Sequence, residues 1–230
     1  MSDVMAKNST LDLDTMTLRE VNRALKDADS GDFDIRNPQG VHALACGLTK
    51  PISATIHGHV GYYCAGMNQH AMVTVTGNAG TGCAENMMSG MVRVKGDVSQ
   101  SAGATAHGGL LVIEGDASAR CGISLKGADI VVGGSVGHMS AFMAQAGSLV
   151  VAGDAGDALG DSIYEAKLYV RGSVASLGTD CVEKDMTDQH KAALSALLKR
   201  AEMDIDVSEF KRYGSARQLY NFKIDNAGAY

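Results

Sequence analysis

Seven glycines, Gly58, Gly77, Gly96, Gly115, Gly134, Gly153 and Gly172, recur at a spacing of 19 residues. A fixed period of that size over seven copies is the mark of a repeat architecture. Two positions before each glycine stand Ile56, Val75, Val94, Ile113, Val132, Val151 and Val170. Four positions before stand Ala54, Val73, Val92, Leu111, Ile130, Leu149 and Leu168, and two after come Val60, Ala79, Val98, Ala117, Val136, Ala155 and Val174. Aliphatic residues at period two, with no helical periodicity, read as short strands. The chain is therefore expected to be an all-β solenoid: a single-stranded parallel β-helix of seven or more 19-residue coils. Crossover connections between parallel strands are almost always right-handed, which gives the expected hand. At roughly 3.3 Å per residue a coil has a contour of about 60 Å, and seven coils spaced by ~4.8 Å stack to about 34 Å. Equivalent positions lie above one another, so each inward column must hold the same kind of side chain in every coil.

Composition agrees with many corners and a core of small aliphatics: the chain has 28 glycines, 2 prolines and no tryptophan. Glycine alone adopts φ > 0 without strain, so the seven glycines are expected to turn corners in that way. The residue after each one (His59, Asn78, Asp97, Asp116, Ser135, Asp154, Ser173) is mostly of a type that bonds its own backbone in turns. A net charge of −6 argues against nucleic acid and against an anionic membrane surface. No apolar run reaches the roughly 18 residues of a membrane span, and Met1–Leu11 is too polar for a signal sequence. Five cysteines, an odd number, fit free thiols in a reducing cytoplasm.

Only the two ends of a solenoid expose open sheet edges, and both ends carry candidate caps. Residues 1–50 are expected to be an N-terminal tail, helix and cap, 51–180 the β-helix, and 181–230 a C-terminal helix and docking tail. Residues 1–9 read as a loose tail. Thr17-Leu18-Arg19-Glu20 is a capping box, with Leu18, Val21 and Leu25 on one helical face and Gly31 as a stop. Asp32–Lys50 reads as an imperfect first coil, whose register glycine would stand at 39 and is missed by one at Gly40. Beyond Cys181, Thr187 or Asp188 can cap a second helix with Ala192, Leu194, Leu197, Leu198 and Ala201 apolar. The end is aromatic and basic, with Phe210-Lys211-Arg212-Tyr213 and Tyr220-Asn221-Phe222.

Few residues suggest chemistry. Cys64, Cys83 and Cys121 each follow a register glycine by six residues and share one column, interrupted by Ala102. The close spacing of zinc or iron–sulfur ligands is absent, so these read as core fillers. His57 and His59 flank a corner without a third ligand, and His107 and His138 have no carboxylate or serine partner at matching coil offsets. Strings such as Gly58-His59-Val60-Gly61 are not phosphate loops, because strands rather than a long helix follow them. One column is more telling. Three positions before the glycine, an outward site, the residues run Thr55, Thr74, Arg93, then Val112, Val131, Val150 and Tyr169. With Leu110 this makes an apolar stripe that the C-terminal helix or another subunit is expected to cover.

The corners Val94-Lys95-Gly96-Asp97-Val98 and Ile113-Glu114-Gly115-Asp116-Ala117 resemble the GXGXG domain. That domain is the right-handed β-helix closing the glutamate synthase large subunit, and it is also found in a formylmethanofuran dehydrogenase subunit. The resemblance covers roughly Ile35 to Gly178. As a chain without an amidotransferase or flavin-binding barrel, and with its closing Phe210–Arg217 stretch, the sequence is similar to the GXGXG subunit of N-methylglutamate synthase. The resemblance implies a non-catalytic scaffold joining a glutamine-amidotransferase-like subunit to a synthase-like subunit that holds FMN and an iron–sulfur cluster. That complex makes N-methyl-L-glutamate and ammonia from methylamine and L-glutamate. No catalytic, cofactor-binding or metal residue is then expected in this chain. The alternative is the equivalent subunit of a formyltransferase/hydrolase complex. A self-contained β-helical enzyme or carbohydrate binder would need an acidic or aromatic row at fixed coil offsets, and none is present.

Overall fold

In the computed structural model, which describes residues 9–219, the chain winds into a parallel β-solenoid of about seven turns with two short helices. Strand β1 (Ser9–Asp12) precedes helix α1 (Leu18–Asp27), and β2 (Gly31–Arg36) and β3 (Ile52–His57) follow. Then come β4 (Met72–Val75), β5 (Met91–Val94), β6 (Leu110–Ile113), β7 (Lys126–Val132), β8 (Ala146–Val151) and β9 (Lys167–Val170). The chain closes with β10 (Cys181–Lys184), helix α2 (Asp188–Arg200) and β11 (Lys211–Ser215). All strands form one sheet, in the order β1 to β9 and then β11 and β10.

From β3 to β9 the parallel register advances by 19 residues, as in Ile56↔Val75, Val94↔Ile113, Ile113↔Val132 and Val151↔Val170, except at an irregularity at the start of β7 where Lys126 pairs with Ala146. The inward columns before the glycine are buried, with Ile56, Val75, Val94, Ile113, Val132, Val151 and Val170 all at 0% exposure. The column two after the glycine forms a second side of the coil, where Val60, Ala79, Val98, Ala117, Val136, Ala155 and Val174 bridge one another in succession.

The register glycines do not turn corners through positive φ. Only Gly58, at φ 134°, lies there; the other six do not. Space is what demands glycine. The Gly96, Gly115, Gly134, Gly153 and Gly172 N–H groups each donate to the carbonyl of the register glycine one coil earlier, at 2.8–3.2 Å. A Cβ at Gly115 would stand 2.9 Å from the carbonyl carbon and oxygen of Gly96 and would strike Asp97 Oδ1. The residues that follow the glycines also act differently from the expectation. Instead of bonding their own turn, they accept from the next coil: Asn78 N donates to His59 Nδ1 (2.9 Å), Asp97 N to Asn78 Oδ1 (3.0 Å) and Asp116 N to Asp97 Oδ1 (2.9 Å). Ser135 N to Asp116 Oδ1 (2.7 Å), Asp154 N to Ser135 Oγ (3.0 Å) and Ser173 N to Asp154 Oδ1 (2.6 Å) continue the ladder.

The positive-φ corners lie on the third side. There three columns in alternate positions turn left-handed, for example Tyr63 (φ 58°), Gly82 (72°), Ser101 (60°) and Arg120 (60°). Most of these residues are not glycine, and each costs about 1 kcal/mol. Hydrogen bonds between coils hold them, such as Tyr63 N to Thr81 O (2.9 Å) and Arg120 N to His138 O (2.9 Å).

Both ends are closed. Thr17 and Glu20 form the expected capping box, and α1 buries Val21 and Leu25 against the solenoid core. Asn22 reaches the open coil, donating to Ala43 O (2.9 Å) and accepting from Ala45 N (2.8 Å). Ser9 already lies in β1, paired with β2, so the expected loose tail is shorter by that residue; residues 1–8 lie outside the described residues. Gly31 opens β2 rather than ending α1. The first coil is 21 residues long, since Ile35 pairs with Ile56, which puts Asn37 (φ 54°) rather than Gly40 in line with Gly58. At the far end β11 runs antiparallel to β9 and covers its edge, and β10 pairs antiparallel with β11. The expected tail at Tyr220-Asn221-Phe222 lies outside the described residues.

Two substitutions separate close approach from backbone handedness. Gly115→Ala forces two coil backbones apart and is expected to lose 1–3 kcal/mol in urea unfolding, by the ~1–3 kcal/mol scale of overpacking. Arg120→Gly is expected to gain about 1 kcal/mol, because glycine removes the left-handed strain at an exposed site. A third tests the ladder. The Ser173 amide and hydroxyl hold the Asp154 carboxyl below its ordinary value. Its folded pKa is depressed, so its contribution is present above the unfolded value and lost as pH falls through the folded one. Asp154→Asn should therefore unfold more easily than the parent at pH 7, with the gap closing below about pH 4, the ordinary carboxylate range.

Candidate functional site

The apolar stripe on the outer face of β6 to β9 is the most informative surface, and the chain covers it itself. Leu110, Val112, Val131 and Val150 are fully buried and Tyr169 is 2% exposed. They form a second core with Leu194, Leu197, Leu198 and Ala201 of α2 and with Phe210. Of the two expected covers, the C-terminal helix is the one in place. Thr187 caps α2, accepting from the His190 amide, and Lys199 and Arg200 lie in its last turn. Ala192, expected on the apolar face, is exposed instead.

Arg93 marks where the cover ends. It stands in the stripe column one coil before Val112, paired across the sheet with it. Its side chain is 13% exposed, and Nη2 donates to Ala201 O (3.1 Å) and pairs with Glu202 (3.0 Å). Nη1 meets Glu114 at 3.1 Å. A cation on the last carbonyls of a helix satisfies an orphan acceptor and opposes the negative end of the helix dipole. Past this point the column returns to Thr74 and Thr55, which are half-buried.

The thiols form a core column. Cys64, Cys83 and Cys121 are fully buried, and the same column continues through Ala102 and Ser140. Burial raises all three, Cys83 and Cys121 to about 12 and Cys64 well above the ordinary value. They fill the core as small apolar groups. The histidines flanking Gly58 are engaged separately: His57 Nε2 lies 2.7 Å from Asp34 Oδ1, and His59 Nδ1 belongs to the inter-coil ladder. His107 and His138 are exposed. Among the described residues no three histidine, cysteine or carboxylate side chains are placed to hold a metal ion.

Four exposed side chains of the early coils carried no expectation from the sequence. Tyr62, Tyr63, Met67 and Met88, in the loops of the second and third coils, are each about half exposed. Tyr62 stacks on His42 with ring centroids 4.5 Å apart, and its amide donates to His42 Nδ1 (3.0 Å). The adjacent tyrosines in a chain of 5% aromatic content were the available signal.

The architecture defines a capped parallel β-solenoid whose outer face is sealed by its own C-terminal helix. No protein-family model matches the sequence. Over 225 residues, 96% of this chain and 99% of the relative, the chain is 60% identical to protein GlxC of Rhizobium meliloti (strain 1021). The chain belongs to the GlxC family. Among the described residues no helix is long and apolar enough to cross a membrane.

The seal over the stripe is testable at Arg93. Arg93→Met keeps the volume but removes the tie to the α2 C-terminus, and is expected to cost about 2 kcal/mol, within the ~1–3 kcal/mol range for charge-assisted hydrogen bonds. Hydrogen exchange should rise first in α2. Unchanged protection there would show that apolar packing alone holds the helix.

Proposed function

We propose that this chain is a non-catalytic scaffold subunit of a glutamate-synthase-like complex, and that the complex is an N-methylglutamate synthase. The reaction is methylamine plus L-glutamate to N-methyl-L-glutamate and ammonia. The observation that carries the reading is the in-phase glycine repeat, continued through seven coils into a closed solenoid, with the corner sequences that resemble the GXGXG domain. The full-length match to a relative of about the same size supports a separate subunit. In this reading a glutamine-amidotransferase-like partner releases ammonia, and a synthase-like partner holds the FMN and the iron–sulfur cluster. This chain's own residues suit a structural part: Cys64, Cys83, Cys121 and Cys181 are packed in the core, and its repeat columns serve the stacking of coils. Tyr62, Tyr63, Met67 and Met88 are the residue types enriched where protein surfaces meet, and they are the proposed seat for a partner.

Affinity capture with the full-length chain from cells grown on methylamine is expected to recover a flavoprotein of glutamate-synthase type and an amidotransferase-like protein. Recovery of a metal-dependent amidohydrolase-like partner would favour the formyltransferase/hydrolase complex instead. Turnover of methylamine and glutamate by the purified chain alone would overturn the non-catalytic assignment. The double variant Tyr63→Ser, Met67→Ser is expected to lose one partner while unfolding at the parent's temperature.

A further inference from the structure

We propose that the cleft running along α2, between the helix and the sheet from β7 to β11, binds a small doubly charged oxyanion, a dicarboxylate or a phosphate. Two adjoining hollows of about 400 and 300 Å³ share Lys167 and His190 in their walls. Five cations line the joined cleft against two carboxylates, on a chain whose net charge is −6. Arg200 is engaged by Asp129 (3.3 Å) and Arg217 by Glu165 (2.6 Å). Lys167, Lys184 and Arg212 have no carboxylate partner among the described residues.

The placement of these three is the central observation. Lys184 of β10 stands directly opposite Arg212 of β11 in an antiparallel pair. Like charges in that relation destabilise a sheet unless a counter-charge sits between them. Arg212 in turn pairs with Tyr169 of β9, two positions along that strand from Lys167. Its Nε donates to Asp185 O (2.9 Å), which fixes the guanidinium and leaves Nη1 and Nη2 for an external acceptor. A planar fork with two free donors matches a carboxylate or phosphate face. His190 reports the same field: burial, then the charges of Arg212 and Lys167, hold it below its ordinary value. In the larger hollow Tyr169, Leu194 and Leu197 offer an apolar wall for a short carbon skeleton.

This inference does not depend on the scaffold reading, and its test uses the isolated full-length chain. Inorganic phosphate and succinate are titrated separately by calorimetry, each against sodium chloride at matched ionic strength. Saturable binding at millimolar concentration or below is expected for one of them, and the one that binds identifies the ligand class. Lys167→Gln and Arg212→Gln are each expected to weaken it at least tenfold. Lys191→Gln, which alters a cation outside the cleft, should bind as the parent does. The Lys167 side chain makes no hydrogen bond or ion pair among the described residues, so Lys167→Gln, which keeps the backbone pairing to β8, should retain the parent's unfolding temperature. A response to both anions no different from that to chloride, or binding that survives in both cleft variants, would overturn the proposal.

Discussion

Every column in the solenoid depends on how closely one coil can lie on the next at the glycine corner. There the amide of each register glycine from Gly96 to Gly172 meets the carbonyl of the one before it, and a Cβ has no room. The following residue's side chain then reaches up to the next coil's amide. Together these contacts lock the rise and register of each coil, and the valine and isoleucine columns can stack only because that register is held. The left-handed corners on the third side depend on it in turn, since hydrogen bonds between coils are what hold non-glycine residues there.

A regular stack has two weaknesses, its ends and any apolar strip on its outside. Helix α1 and its Asn22 close one end, and the antiparallel β11 closes the other by covering β9. Antiparallel closure stops propagation, because the next strand in line no longer continues the coil. The outer strip is sealed along the same stretch of sheet, and Arg93 sits where sheet chemistry and helix end meet. With that face sealed, the early coils still expose Tyr62, Tyr63, Met67 and Met88.

Much of this was legible in the 19-residue period, because a solenoid writes its contacts into the sequence at a constant offset. Strand positions, the buried thiol column and the capping box at Thr17 all followed from local pattern. The role of the glycines did not. Gly115 at a corner and Gly82 at a left-handed turn are the same letter, and only the tertiary structure distinguishes crowding from handedness. Asp97 and Asp116 look like turn residues, but their partners are 19 residues away. The first coil escaped the period because two extra residues shift Asn37 into line with Gly58.

The sequence by itself determined the repeat, the inward columns and the existence of an apolar stripe needing a cover, since each is a one-dimensional periodicity. Tertiary structure decided what covers the stripe, because Val131 and Leu194 are far apart in sequence and meet only when the chain doubles back. It also decided the cationic cleft, where Lys167, Lys184 and Arg212 arrive from three separate strands. An antiparallel return carries no period, so its neighbours cannot be read at any fixed offset.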